Sequence, residues 1–422
     1  MDMAVSSGVT KLQKGDKLMS TSLLYHGWGV RGYHELAIGF HDAAIHFSIE
    51  QNPDTFCCSH CHSRAVMKAG QVPRQFRSLP IGGKPVWIEL SIQRLWCTTC
   101  GKTRQAKVAF ADQGRGYTHC FERYALDLSR HMTIQAVARH LGVGWDAIKD
   151  IQKRRLAVRF KKPKLKHLEH LAIDEISIGH GHRYLTVVLD LDSGAVVFVG
   201  EGKGADSLLP FWKRLRSAHA RIRAVATDMS PAYTLAVREN LPKAIHVFDR
   251  FHVIKLFNER FSLFRQELQR EAEGPLARKV LKGTRWLLLK NPENLDDERD
   301  ERKRLEKALA LNKPLATVYY MKEDLRQIWD QQDKAAASVF IDDWIARARG
   351  SGIRMLQKFA ETLVQHRRGI LNYYRCPITT AALEGTNNKI KTMQRQAYGF
   401  RDQEFFDLKI YALHETNYAL IG

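Results

Sequence analysis

The chain of 422 residues is long enough for about three domains, and a hydrophobic content of 44% is ample for several packed cores. Lys and Arg number 66 against 45 Asp and Glu, a net charge of +21 that calls for a polyanionic partner. No apolar stretch approaches bilayer length and the polar start MDMAVSSGVTKLQKGDK is no signal peptide, so a membrane partner is excluded in favour of nucleic acid.

The first fifty residues carry strand-like pieces, YHELAIGF and AIHFSIE, that lead into a cysteine-rich segment. Five of the seven cysteines lie between positions 57 and 100, which suits a reducing cytoplasm and a metal site better than disulfides. Cys58-x-x-Cys61 and Cys97-x-x-Cys100 form two thiolate knuckles, the tetrahedral sulfur set that structural Zn²⁺ prefers. The 35 residues between the pairs exceed the usual spacing, but they read as a β-hairpin that would bring the pairs together. Cys57, His60 and His62 could each replace Cys58 or Cys61, and the plain alternative is four buried free cysteines.

From about residue 117 the pattern is helical, and MTIQAVARHLGVGWDAIKDIQKRRL fits a helix-turn-helix. Ile134, Val137 and Ala138 face a core, Gly142-Val143-Gly144 makes the turn, and Ile148 and Ile151 point inward from the second helix. That helix presents Asp146, Lys149, Lys153 and Arg154 toward a major groove. It continues into a run of eight Lys/Arg without an acid over residues 153–166, including Arg155, Arg159, Lys161 and Lys162, which reads as a phosphate contact. An ordinary helical hairpin with a solvated charge run is the competing reading.

From residue 169 short β-rich runs alternate with amphipathic helices. HLAIDEI reads as a strand, and RYLTVVLDLDSGAVVFVGEG as a hairpin turning at Asp192-Ser193-Gly194. Helix ADSLLPFWKRLRSA, strand IRAVATD, helix PAYTLAVREN, strand AIHVFD and a long helix from about 250 follow. Residues 272–375 look helical and highly charged, and after Pro377 a last helix runs to Gly399. The expected organisation is a zinc-binding domain over residues 1–115, a helix-turn-helix with basic tail over 116–166, and a β-rich core over 167–271. A helical insertion over 272–375 and a return to the core over 376–422 complete it.

On the last helix Glu384, Asn388, Lys391 and Arg395 share one face, beside an apolar stripe of Leu383, Ile390 and Ala397. A lone acid on a face made for phosphate makes sense if it holds a cation together with acids from elsewhere. Asp174 and Asp228 each end a buried strand, where an unpaired carboxylate is costly, so the two would lie side by side and bind divalent metal. Mg²⁺ suits such a set, and two ions could serve phosphodiester chemistry. Asp249, which ends a third strand, reads either as a group near that site with His252 or as a helix N-cap.

CSHC and CTTC, the helix-turn-helix, LAIDEIS, ATDMSPAY, FDRFHVIK and LEGTNNKIKTMQRQAYGFR, in that order, resemble bacterial insertion-sequence transposases of the ISL-three family over nearly the whole chain. The resemblance implies a multidomain α+β or α/β protein: a zinc-ribbon-like module, a helix-turn-helix, and an RNase H-like core interrupted by an all-helical insertion. It implies an Asp-Asp-Glu triad matching Asp174, Asp228 and Glu384, catalytic Mg²⁺ or Mn²⁺, and a basic residue seven positions after the Glu, matched by Lys391. The expected activity is binding of terminal inverted repeats, metal-dependent end cleavage, and strand transfer into target DNA. The partner is then double-stranded DNA, in a complex of at least two protomers, in the cytoplasm and associated with the nucleoid. The rivals are a zinc and helix-turn-helix transcriptional regulator, which has no need of the three acids, and a structure-specific RNase H-like nuclease, which has less use for two DNA-reading modules.

Overall fold

Strand KPVWIELSIQRLWC alternates core and surface residues along its length, and it becomes the centre of an N-terminal sheet. The computed structural model describes residues 22–179, 183–272 and 281–414, and the chain divides into two units between Arg155 and Leu156. In the first unit a short helix α1 (Leu23–Trp28) precedes strands β1 (Tyr33–His41), β2 (Ala44–Gln51), β3 (Val66–Ile81), β4 (Lys84–Cys97) and β5 (Thr103–Gln105). The sheet order is β1-β2-β4-β3, with β5 also paired to β4. The expected hairpin is β3 and β4, antiparallel from Val66↔Cys97 to Ile81↔Lys84. Gly82 and Gly83 turn it in the left-handed region, at φ 55° and 80°.

Three helices follow: α2 (His119–Leu128), α3 (Ile134–Leu141) and α4 (Trp145–Phe160). Thr118 and Thr133 cap the first two with their hydroxyls, and Gly142 at φ 63° closes the second. Phe121, Val137, Ala138, Leu141, Ile148 and Ile151 form their core, and Ile134 packs at its margin. Buried Arg77 on β3 donates to the Leu141 carbonyl at 3.0 Å, so the sheet holds the turn of the helix pair.

The second unit centres on β6 (His170–Gly179), β7 (Arg183–Asp190), β8 (Val196–Glu201), β9 (Ala224–Thr227) and β10 (Ile245–Phe248). Its order, β10-β9-β6-β7-β8, has a β6-β7-β8 meander, with β9 parallel to β6 and β10 parallel to β9. That is the sheet of an RNase H-like core. Helices α5 (Leu209–Ser217) and α6 (Pro231–Asn240) cover one face through Leu171, Ile173 and Val188. The last two helices, α13 (Ala381–Gln396) and α14 (Gln403–Tyr411), cover the other through Ala172, Ile176, Leu383 and Ile390.

Helix α7 (Arg250–Glu271) leaves the sheet and enters the insertion, whose described helices are α8 (Arg285–Leu289), α9 (Glu301–Leu311), α10 (Lys313–Arg326), α11 (Lys334–Gly350) and α12 (Arg354–Leu371). Residues 273–280 of the expected helical stretch lie outside the described residues. Phe257, Trp344 and Phe359 meet edge to face in the core of this insertion. Gly369 lets α12 close on β10, since a Cβ there would stand 2.2 Å from the Phe248 ring. Among the described residues no helix is long and apolar enough to cross a membrane.

Candidate metal and DNA sites

The knuckles converge. Cys58, Cys61, Cys97 and Cys100 place their sulfurs within 4.8 Å of one another, with Cys58–Cys100 at 3.7 Å and Cys61–Cys97 at 3.5 Å. Each is closed by a left-handed residue, Gly101 at φ 65° after Cys100 and His62 at φ 60° after Cys61, and those N–H groups donate to Cys97 and Cys58 carbonyls. His62 therefore occupies the turn position that Gly101 fills in its twin. Neither His60, His62 nor Cys57 belongs to the donor cluster, which the four cysteines of the two knuckles make up. Backbone N–H groups of Cys61 and His60 pull the Cys58 thiol down to about 6, and that of Cys100 lowers Cys97. Cys61, despite a favourable Ser63 N–H, is pushed up to about 11 by burial and the Cys97 sulfur. Four thiols this close cannot all ionise without a cation, so the set suits structural zinc. A second donor group, His41, His46 and Glu89, stacks its two imidazoles face to face with centroids 3.6 Å apart, so their in-plane lone pairs do not converge on one ion.

On the helix-turn-helix, Lys149 and Lys153 are half-buried, while Arg155, Arg159, Lys161 and Lys162 are exposed. Lys149 lies over the Trp145 ring, and Lys161 pairs with Glu404 at 3.1 Å. Arg154 departs from expectation. Its guanidinium turns back onto the module, 2.7 Å from Glu122 on α2 and 3.1 Å from Asp150, four residues earlier on α4. It braces the helices instead of facing outward. Within residues 153–166 the apolar members are anchored: Phe160 packs beneath the sheet face covered by α13, and Leu165 joins the opposite core.

The acids occupy the second unit. Parallel pairing of Leu171↔Val225 and Ala172↔Ala226 brings Asp174 close to Asp228, the residue after β9. Asp174 does not end its strand as expected, because β6 stays paired with β7 on to Gly179. Asp174 is pushed up to about 6 by burial first, with Asp228 and Glu175 adding to the rise and His252 opposing it. Asp228 accepts the Ser230 N–H at 2.9 Å and so shapes the entry to α6. Glu175 faces the other way and accepts the Tyr233 hydroxyl at 3.1 Å.

Helix α13 lies over this pair through Asn387, which is buried and donates to Asp174 at 2.9 Å. Asn387, not its neighbour Asn388 on the polar face, makes this contact, because it stands one turn before and in line with Ile390 on the buried stripe. Glu384, three residues earlier on that helix, is half-buried, and Asn388, Lys391 and Arg395 are exposed. The three acids are not drawn together within 4.8 Å as the thiols are. Ala397, expected on the apolar stripe, is exposed beyond the helix end at Gln396. Asp249 is a cap: one oxygen accepts Phe251 N–H at the start of α7, the other accepts Thr380 N–H at 3.2 Å. The Thr380 carbonyl in turn accepts Glu384 N–H at 2.9 Å, so buried Asp249 fixes the first turn of the helix that bears Glu384.

A sheet of this order, bearing paired carboxylates and joined to a four-thiol module and a helix-turn-helix, defines a DNA-processing protein of the transposase class. Comparison with known proteins agrees. A transposase family model of the ISL3 type matches residues 171–410, the helix-turn-helix domain of transposase family ISL3 matches 106–156, and the zinc-finger of transposase IS204/IS1001/IS1096/IS1165 matches 54–100. The transposase for insertion sequence element IS1001 of Bordetella parapertussis is 37% identical over 85% of this chain and 89% of its own length. That for element IS1557 of Mycobacterium tuberculosis is 28% identical over 82% and 83%. A solved Drosophila P element transposase strand transfer complex aligns with 69% of this chain and 90% of that one, at 9% identity and a TM-score of 0.37, too remote to carry an argument. The chain belongs to the ISL3 family of transposases.

Proposed function

We propose that Asp174, Asp228 and Glu384 are the metal-holding acids of a reaction that cleaves the ends of an insertion element and joins them to target DNA. The observation that carries this reading is the parallel pairing of β6 and β9, which brings Asp174 close enough to Asp228 for that charge to raise its pKa, beneath a helix tied to Asp174 by Asn387. The donor set fits Mg²⁺ or Mn²⁺: hard oxygens, one of them on a carboxyl whose pKa is already raised by burial and by its neighbours. When bound, such ions activate an attacking oxygen and stabilise a leaving one. The chain's own residues do the rest. Asn387 orients Asp174, Asp249 sets the pitch of α13, and exposed Asn388, Lys391 and Arg395 hold the phosphates of the strand being cut. The zinc module and helix-turn-helix recognise terminal inverted repeats, and the exposed Arg155, Arg159 and Lys162 add contacts that read no sequence. Since two ends must be joined, the active complex contains at least two protomers.

The test is cleavage and strand transfer on the ends of the parent element with Asp174→Asn, Asp228→Asn and Glu384→Gln. Each is expected to keep end binding and lose both steps. Near-normal cleavage by Glu384→Gln would refute the assignment of that residue.

A further inference from the structure

We propose that the groove between α6, β10 and α12 is a second DNA-backbone site, one that grips phosphates of a duplex and reads no bases. It is a cavity of about 650 Å³ walled by Arg238 on α6, Lys243 in the following loop, Arg368 on α12 and Arg375 just beyond it, and no carboxylate lines it. All four cations are exposed, and among the described residues none has an ion-pair or hydrogen-bond partner.

That lack of partners contrasts with several cations of the insertion that are paired. Arg326 binds Glu293 and Glu323, Arg347 binds Asp324 and Asp343, and Arg349 binds Glu361. The contrast reaches single-residue resolution on α12, where Arg367 is held by Asp342 at 2.6 Å while the next residue, Arg368, turns unpaired into the groove. A charge run on a solvated face would mix signs. Here one sign is kept on concave walls, which focus the field on whatever enters.

Four cations from two distant stretches of the chain are more than a single phosphate group requires, and they match a chain of phosphates. The two imidazoles in the wall add no charge near neutrality, since burial holds His246 down to about 4 and lowers His366. Pro231, which opens α6 three residues after Asp228, lines the same groove. A duplex held there would run from the insertion toward the acids, an orientation that rests on the catalytic reading above, whereas the binding does not.

The experiment uses the full chain with Arg238→Gln, Lys243→Gln, Arg368→Gln and Arg375→Gln combined. Binding to a random-sequence duplex is followed by fluorescence anisotropy over a series of salt concentrations, without added divalent cation. A cleavage-inactive protein gives the same reading, so failure of the triad assignment stays distinguishable. We expect affinity at low salt to fall roughly tenfold or more, and the salt slope to flatten by up to roughly 0.9 for each lost contact. Preference for the element's end over random duplex should stay unchanged. Unaltered affinity and slope would overturn the proposal. So would loss of inorganic triphosphate binding with DNA binding intact, which would make the groove a small-anion site. Arg368→Gln and Arg375→Gln alone, each expected to lower the slope, serve if the combined variant does not melt like the wild type.

Discussion

The molecule assembles its four thiols and the acids proposed above as metal ligands in opposite ways. The four thiols come from two short knuckles at the base of one hairpin, already within 4.8 Å of one another, with backbone N–H groups aimed at the sulfurs. The acids come from positions 174, 228 and 384, stand further apart, and bring repulsion with them. The thiol set is thus a structural staple, for which metal binding is part of folding. The acid set is carried by a sheet and a helix that pack without it, since Ala172, Ile176, Leu383 and Ile390 form that contact. On this reading the thiol site is tied to folding, and the proposed acid site is not.

The largest effect should come from removing the staple. Cys97→Ser with Cys100→Ser should release about one zinc equivalent and unfold the N-terminal sheet, because structural zinc in small modules contributes on the order of 10 kcal/mol. Hydrogen exchange should show protection lost over residues 54–105 and kept over 171–227, and metal analysis of the wild type should find zinc. Wild-type protein purified without zinc would end the comparison.

Next in size is the loss of chemistry at the acids. Asp174→Asn and Asp228→Asn should abolish cleavage while the melting profile of the core persists, and the double variant should be no worse than either alone because the groups act as a unit. Additive losses would mean the acids serve separate steps.

Asp249 sharpens the comparison at a smaller scale. Asp249→Ala strands the N–H groups of Phe251 and Thr380, at a cost of about 1–3 kcal/mol for each buried donor left unsatisfied. Melting temperature and activity should fall together. Asp249→Asn keeps an acceptor oxygen and should recover part of both. If it left stability unchanged and removed metal binding, Asp249 would be a ligand after all.

The smallest effect is a pH dependence. Asp174 has its pKa raised from 3.8 to about 6 in the folded protein, so its ionisation opposes folding, and stability is lost as pH climbs through that window. Asp174→Asn removes the loss. Without divalent metal the variant should match the wild type below pH 4 and exceed it above pH 6, by an amount on the order of 2 kcal/mol. Mg²⁺ should reverse the order at pH 7 by stabilising only the wild type. Parallel melting curves at every pH would show that the carboxyl is not perturbed. The comparison with Asn also cancels His246, whose lowered pKa acts in the opposite direction.

Sequence alone was enough for whatever is local or periodic. The CxxC pairs, the hairpin between them, the turn at Gly142 and the strand ending just before Asp228 are each written in a few adjacent residues, because backbone conformation and burial period act over that range, whereas Asp174, expected at a strand end, lies within β6. Their order along the chain was also enough for the family. What distant elements do to each other was decided only by the tertiary structure. Nothing near Arg154 in sequence says that Glu122 will turn it inward, and nothing beside Asp249 says that one oxygen is reserved for Thr380. Asn387 differs from Asn388 in sequence only by its alignment with Ile390, and the packing of α13 over β6 buries the first against Asp174 and exposes the second. Lys243 and Arg375 share a groove only because Gly369 lets α12 settle against Phe248. Long-range pairing of charges and polar groups depends on approach geometry, and that geometry is a property of the packed sheet and helices together.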